Sequence, residues 1–196
     1  MVAAFDSFEM TASEYLTWEP LQDLRYEFIN GQVVAMTGGT IAHNDIALNL
    51  NDRLRAALRP KGCRVNVADV KVQVEATGNY FYPDVIVSCD DRDRTATTEI
   101  RFPELLVEVL SQATEAKDRG RKWENYRQLP TLQEYLLVNT SHRLVERFRR
   151  QETFWTYRTY SVGEVLELES VGLSVAVEAI YAGVTLDEDD RKTQTD

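Results

Sequence analysis

The chain contains no run of eighteen apolar residues, and its N-terminus, MVAAFDSFEM, has no basic start followed by an apolar stretch. Neither a membrane span nor a signal peptide is predicted, and a cytoplasmic protein is expected. Cysteine is scarce: Cys63 and Cys89 stand in different segments without metal-knuckle spacing. Reduced thiols packed as small apolar side chains are therefore expected. There is no internal repeat and no low-complexity linker. No Gly-x-Ser-x-Gly elbow is present, which removes Ser111 with His43 as a nucleophile and base. Bases are outnumbered, 22 Lys and Arg against 32 Asp and Glu, for a net charge of −10. Such a balance repels polyanions.

The charge is unevenly spread, which weakens that last exclusion. Residues 1–30 carry −5 and residues 187–196 carry −3, leaving the middle at −2. Within it, KDRGRKWENYR (117–127) has five bases to two acids, and RLVERFRR (143–150) has four to one. Each is either a local basic face or an ordinary solvated one.

What is there reads as one domain of 196 residues with 43% apolar content, enough for one sizeable core. TASE (11–14) has capping-box form, so a helix is predicted from Thr11, and a second is predicted over about Leu21–Phe28. Asn30-Gly31 marks a turn into the strand QVVAMT. From His43 to Leu58, Ile46, Leu50, Leu54 and Leu58 recur every fourth residue as an amphipathic helix. CRVNVADVKVQVE reads as one half-exposed strand, and Gly78-Asn79 turns the chain into a further strand, NYFYPDVIVSCD. PELLVEVLS and QEYLLVN read as buried strands on either side of a helix, TEAKDRGRKWENYRQL, which Pro130 stops. RLVERFRR and TFWTYRTYS form a predicted hairpin, and LSVAVEAIYAGV closes the fold with a short strand or helix. The expected architecture is α/β or α+β, a mixed sheet flanked by helices. An N-terminal helical segment (1–20), one domain (21–186) and an acidic, disordered tail (187–196) complete the organisation.

Two of these strands carry a misplaced charge. Asp84 follows Pro83 at the mouth of one, and Glu108 lies between Val107 and Val109 in the other. A buried carboxylate without compensation costs several kcal/mol, so each calls for a cation or a donor. One solution is a shared Mg²⁺ held by Asp84 and Glu108, with Mn²⁺ as a substitute. The duller alternatives are a turn residue for Asp84 and a buried Arg or Lys partner for Glu108.

The run YFYPDVIVSCD…PELLVEVLSQATEAKDRGRKWENYRQLPTLQEYLLVN, with RYEFINGQVVAMTGGTIAHNDI before it and GLSVAVEAIYAGV after, resembles the Uma-two family of restriction-endonuclease-like proteins within the PD-(D/E)XK nuclease superfamily. The resemblance implies a restriction-endonuclease-like fold and a Mg²⁺-dependent endonuclease acting on DNA. It places the acidic pair on Asp84 and Glu108. It adds Glu27, on the predicted second helix, as a further catalytic acid. The superfamily's lysine two residues after the strand glutamate is replaced by Leu110. The resemblance then assigns the basic role to Lys122, four residues after Asp118 and four before Tyr126. His43 and Tyr126 are candidates for the substrate side, although His43 also suits a helix start, and Trp123 and Tyr126 also suit packing of their helix on the sheet. A homodimer is expected, since a two-fold assembly suits cutting both strands of a duplex, with the TFWTYRTY hairpin as its contact. The competing function is a catalytically inactive nuclease-fold protein serving as a binding or regulatory module, for which the acidic charge and Leu110 speak.

Overall fold

The computed structural model describes residues 9–36, 38–111 and 114–186. The expected acidic tail lies outside the described residues. Helix α1 (Ala12–Trp18) opens with the expected capping box: Thr11 accepts from the Glu14 amide while the Glu14 carboxylate accepts from the Thr11 amide. Its Tyr15 is fully buried against Phe28 and Tyr80, which makes the N-terminal segment part of the domain core.

The second predicted helix is absent. The chain instead forms β1 (Tyr26–Ile29), paired antiparallel with β2 (Gln32–Ala35) across a turn in which Asn30 and Gly31 both have positive φ. Leu21 and Leu24 carry helix-like spacing but are 80% and 54% exposed, so there is no core for a helical stripe to bury. Helix α2 (Ile41–Leu58), N-capped by the Thr40 hydroxyl, buries Ile46, Leu50, Leu54 and Leu58 as their spacing predicts.

The two long strands expected over 63–75 and 79–90 are each split. They form β3 (Arg64–Val67) with β4 (Lys71–Val74), and β5 (Asn79–Phe81) with β6 (Val85–Ser88). Strands β3 and β6 pair antiparallel, as do β4 and β5, so the four form one two-stranded ribbon bent at its middle. Between the pairs Val67–Val85 and Val72–Phe81, four residues intervene on one strand and three on the other, which is a bulge. Ala68 and Asp69 adopt left-handed backbone there, and Pro83, unable to donate to a ladder, stands on the opposite strand.

The bend sends the ribbon into two sheets. With β7 (Glu99–Ile100), one has the order β2-β1-β5-β4-β7. After β8 (Leu105–Leu110) the chain makes a helical rod of α3 (Glu115–Lys117), a π-helical turn (Asp118–Lys122) and α4 (Trp123–Tyr126). Then come β9 (Glu134–Asn139), β10 (Leu144–Arg150) and β11 (Trp155–Ser161). The second sheet runs β11-β10-β9-β8-β6-β3, with β8 and β9 parallel because the rod is their crossover. A hairpin of β12 (Val165–Leu168) and β13 (Leu173–Ala176) leads into α5 (Val177–Ile180). Strand β12 has no counterpart in the sequence reading.

Strand β8 lies at the centre and is buried throughout. Leu105, Val107 and Val109 face the core under α2, while Leu106 and Leu110 face the core around Tyr126 and Tyr135. Glu108, by alternation, points to this second side, toward the rod.

The cysteines are joined by a disulfide, against the expectation of free thiols. The β3–β6 register pairs Arg64 with Ser88, which sets the next residues out, Cys63 and Cys89, across from each other with Cα atoms 4.1 Å apart. The aromatics of the β10–β11 hairpin are only partly spent inward: Trp155 and Phe148 pack on Trp123, while Phe154 and Tyr157 stay 59% and 56% exposed. Among the described residues no helix is long and apolar enough to cross a membrane.

Candidate active site

The bend in the ribbon is where the carboxylates meet. Strands β6 and β8 pair Val85 with Val107, and one step further the register puts Asp84 opposite Glu108. Asp84 has left the ladder at Pro83, so its side chain turns across: Oδ2 accepts from the Val109 amide at 2.6 Å and Oδ1 lies 3.0 Å from His43 Nε2. His43 comes from the first turn of α2, with its ring against Gly39, where an added Cβ would fall 3.0 Å from the imidazole. Burial works against the imidazolium, but the Asp84 hydrogen bond and charge outweigh it and raise the His43 pKa. Its Nδ1 is buried without a hydrogen-bond partner among the described residues.

Glu108 is enclosed. Tyr126 donates to Oε1 at 2.8 Å, and Lys122 Nζ stands 2.8 Å from Oε2. The same ammonium is 3.3 Å from Glu27 Oε1 and 3.2 Å from Asp118 Oδ1. Lys117 pairs with the other oxygen of Glu27, and the Tyr82 amide donates to Glu27 Oε1. The π-helical turn presents Asp118 and Lys122 inward together, and the Tyr135 hydroxyl holds the Asp118 carbonyl. Irregular turns of this kind recur at functional sites.

The electrostatics follow from burial and crowding. Desolvation pushes the Glu108 pKa well above the ordinary carboxylate value, with Lys122 opposing and Asp118 and Asp84 reinforcing. Burial alone would depress Lys122, yet Glu108, Glu27, Asp118 and Asp84 outweigh it and keep the ammonium charged. Glu27 is held below its usual value because Lys122 and Lys117 overcome its burial.

These residues line a cavity of about 100 Å³, with Met36, Gly38, Gly39, Ser111 and Thr114 also in its walls. Of the sequence candidates, Asp84, Glu108, Lys122, Glu27 and His43 are brought together here. Glu27 arrives on strand β1, which corrects its expected helical placement. Tyr126 is corrected as a substrate contact: it is fully buried, and its hydroxyl serves Glu108. Glu108 does have a buried lysine partner, the alternative considered from sequence. Lys117 and Asp118 are added by the structure. Their signal was present in the alternation of charge along KDRGRK, but nothing local says which of those charges point inward.

The metal question turns on the donor set. Among the described residues no three His, Cys, Asp or Glu side chains form a ready-made cage. Mg²⁺ rarely uses one, taking one or two carboxylates with waters and phosphate oxygens. Four carboxylates, Glu27, Asp84, Glu108 and Asp118, line the cavity against two ammonium groups, Lys117 and Lys122. Hard oxygen donors in excess of cations are compatible with a divalent ion.

The basic stretches are less available than their composition suggests. Arg119 is paired with Glu115 and Glu146, Arg149 with Glu169, and Arg150 donates to the carbonyls of Arg127, Leu129 and Leu132.

A sequence profile described as "Putative restriction endonuclease", Uma2, matches residues 12–178. The chain belongs to the Uma2 family. Two uncharacterised proteins of Synechocystis sp. (strain ATCC 27184 / PCC 6803 / Kazusa) are similar to it. One, slr1290, is 40% identical over 90% of this chain and 93% of its own length; the other, sll1609, is 31% identical over 82% and 92%. A crystal structure of a protein from Anabaena variabilis ATCC 29413, titled a putative nuclease belonging to DUF820, superposes with a TM-score of 0.70 at 15% identity, covering 90% of this chain and 99% of that one. The likeness establishes that this Uma2 chain shares that protein's fold.

Proposed function

We propose that this Uma2 protein is a metal-dependent endonuclease that hydrolyses phosphodiester bonds in DNA. The observation that carries the reading is the convergence of Asp84 and Glu108, from paired strands, in one cavity with Lys122 and His43. Asp84 and Glu108 would hold Mg²⁺, or Mn²⁺ in its place. Such an ion, when bound, lowers the pKa of its water and takes up charge on a phosphate oxygen. Lys122, kept cationic by its carboxylates, supplies positive charge where the phosphate's negative charge grows. It fills the role left open at Leu110, whose own side chain is buried in the core. His43 fixes the orientation of Asp84 and faces the incoming phosphate from the start of α2.

Conversion of supercoiled plasmid in Mg²⁺ or Mn²⁺ tests the proposal. Wild type should nick or cleave it, and Asp84→Asn and Glu108→Gln should each abolish cleavage while remaining folded. No cleavage across metals and substrates, or cleavage unchanged in Asp84→Asn, would overturn it. A second reading, an inactive binding module of the same fold, is favoured by the engagement of both Glu108 oxygens with Tyr126 and Lys122. It predicts no cleavage under any of these conditions.

A further inference from the structure

We infer that the C-terminal end of α2 is a second contact for the nucleic-acid backbone, remote from the cavity. The inference rests on the nuclease reading for its partner. Residues 52–64, DRLRAALRPKGCR, hold five bases and one acid, a larger excess than either basic stretch discussed above. Three of the five have internal tasks: Arg53 donates to the Ala179 carbonyl, Lys61 to Val171, and Arg64 to Asp93 and Ala96. The remaining two, Arg55 and Arg59, are exposed and flank a shallow groove with Ala56 and Pro60.

These two arginines differ from most others on the surface. Arg92, Arg94, Arg101, Arg119, Arg149 and Arg158 each carry a carboxylate partner. No ion pair is formed by Arg55 or Arg59 among the described residues. Arg121, Arg127 and Arg143 also lack one among the described residues, but none of those is the (i, i+4) neighbour of another. On a helix, like charges at that spacing repel. The negative end of the helix dipole offsets part of the repulsion for cations in the last turn. It does not explain why a chain with net charge −10 leaves both unneutralised. A bound polyanion does.

The geometry suits a duplex. Helix α2 has 18 residues, and His43 in its first turn faces the cavity. At 1.5 Å per residue the helix spans about 27 Å, roughly eight phosphate steps of 3.4 Å. A backbone followed from the cavity along the exposed face of α2, past Asn44 and Leu48 and beside the exposed Asp52, reaches Arg55 and Arg59.

The test is fluorescence anisotropy with a labelled duplex of about 24 base pairs, long enough to span this distance, over a salt series in EDTA so that no cleavage intervenes. Relative to wild type, Arg55→Gln/Arg59→Gln should bind more weakly and lower the slope of log K against log salt by about two, one for each lost phosphate contact. Its thermal unfolding should be unchanged. Equal affinity and slope in both proteins would overturn the inference, as would absence of duplex binding by wild type at low salt. So would capture of wild type by anionic phospholipid vesicles with no response to DNA. A protein that binds DNA in this way but never cleaves it would refute the nuclease reading and leave the contact standing.

Discussion

Lys122 Nζ lies 2.8 Å from Glu108 Oε2, and both side chains are almost completely removed from solvent. The ammonium is the cation that makes three buried carboxylates tolerable at once. Removing one partner of a buried pair leaves an uncompensated charge, at a cost of about 3–5 kcal/mol. Lys122→Met should therefore lose stability of that order in urea unfolding and lose cleavage. If a divalent ion can enter the same carboxylates, Mg²⁺ should restore part of the stability of the variant. A variant as stable as wild type would show that the carboxylates do not depend on this lysine.

Gly39→Ala should weaken cleavage without unfolding the protein. The new methyl would press on the His43 ring and turn it from Asp84. Misplacement by a fraction of an ångström to an ångström costs roughly ten- to a hundredfold in rate. The comparison of plasmid-nicking rates with thermal unfolding separates this from simple destabilisation.

The disulfide closes a loop with a sequence separation of 26. A loop of that size constrains the unfolded chain by about 3.5 kcal/mol. Cys63→Ser/Cys89→Ser, or wild type in a reductant, should unfold at correspondingly lower urea. Thiol titration of the unreduced, denatured protein should find no free cysteine.

Glu146 provides a pH test away from the cavity. Burial raises its pKa, but hydrogen bonds from Arg119 and Tyr157 more than compensate and leave it lowered. Its contribution to stability is thus fully present above the ordinary carboxylate value of about 4.3 and fades as the pH falls through the depressed value. The stability difference between wild type and Glu146→Gln should hold at neutral pH and shrink below pH of about 4.

Local signals were readable where a single turn or stripe decides the outcome. Thr11 with Glu14, Asn30-Gly31, and the apolar spacing of α2 each specify structure within a few residues. The apolar run of β8, interrupted by Glu108, showed both a central strand and its chemical oddity. What failed was non-local. Leu21, Leu24 and Phe28 have helical spacing, yet pairing with β2 and β5 made a strand of the segment carrying Glu27. Ala68 and Asp69 bend the ribbon with left-handed backbone angles, which Asp tolerates better than most residues but Ala does not advertise. Cys63 and Cys89 meet only through the register of β3 and β6. Tyr126 looked like a helix-face aromatic because the partner of its hydroxyl, Glu108, comes from another element.

The bent ribbon also limits what can move. A crease stiffens the sheet it crosses: the same two strands are hydrogen-bonded on both sides of the corner, and the Ala68 amide donates to the Asp84 carbonyl within it. The two sheets are consequently hard to shear without breaking the corner that carries the carboxylate. Asp84, tied into that corner through its own carbonyl, is thereby the carboxylate of the cavity with the least freedom to shift.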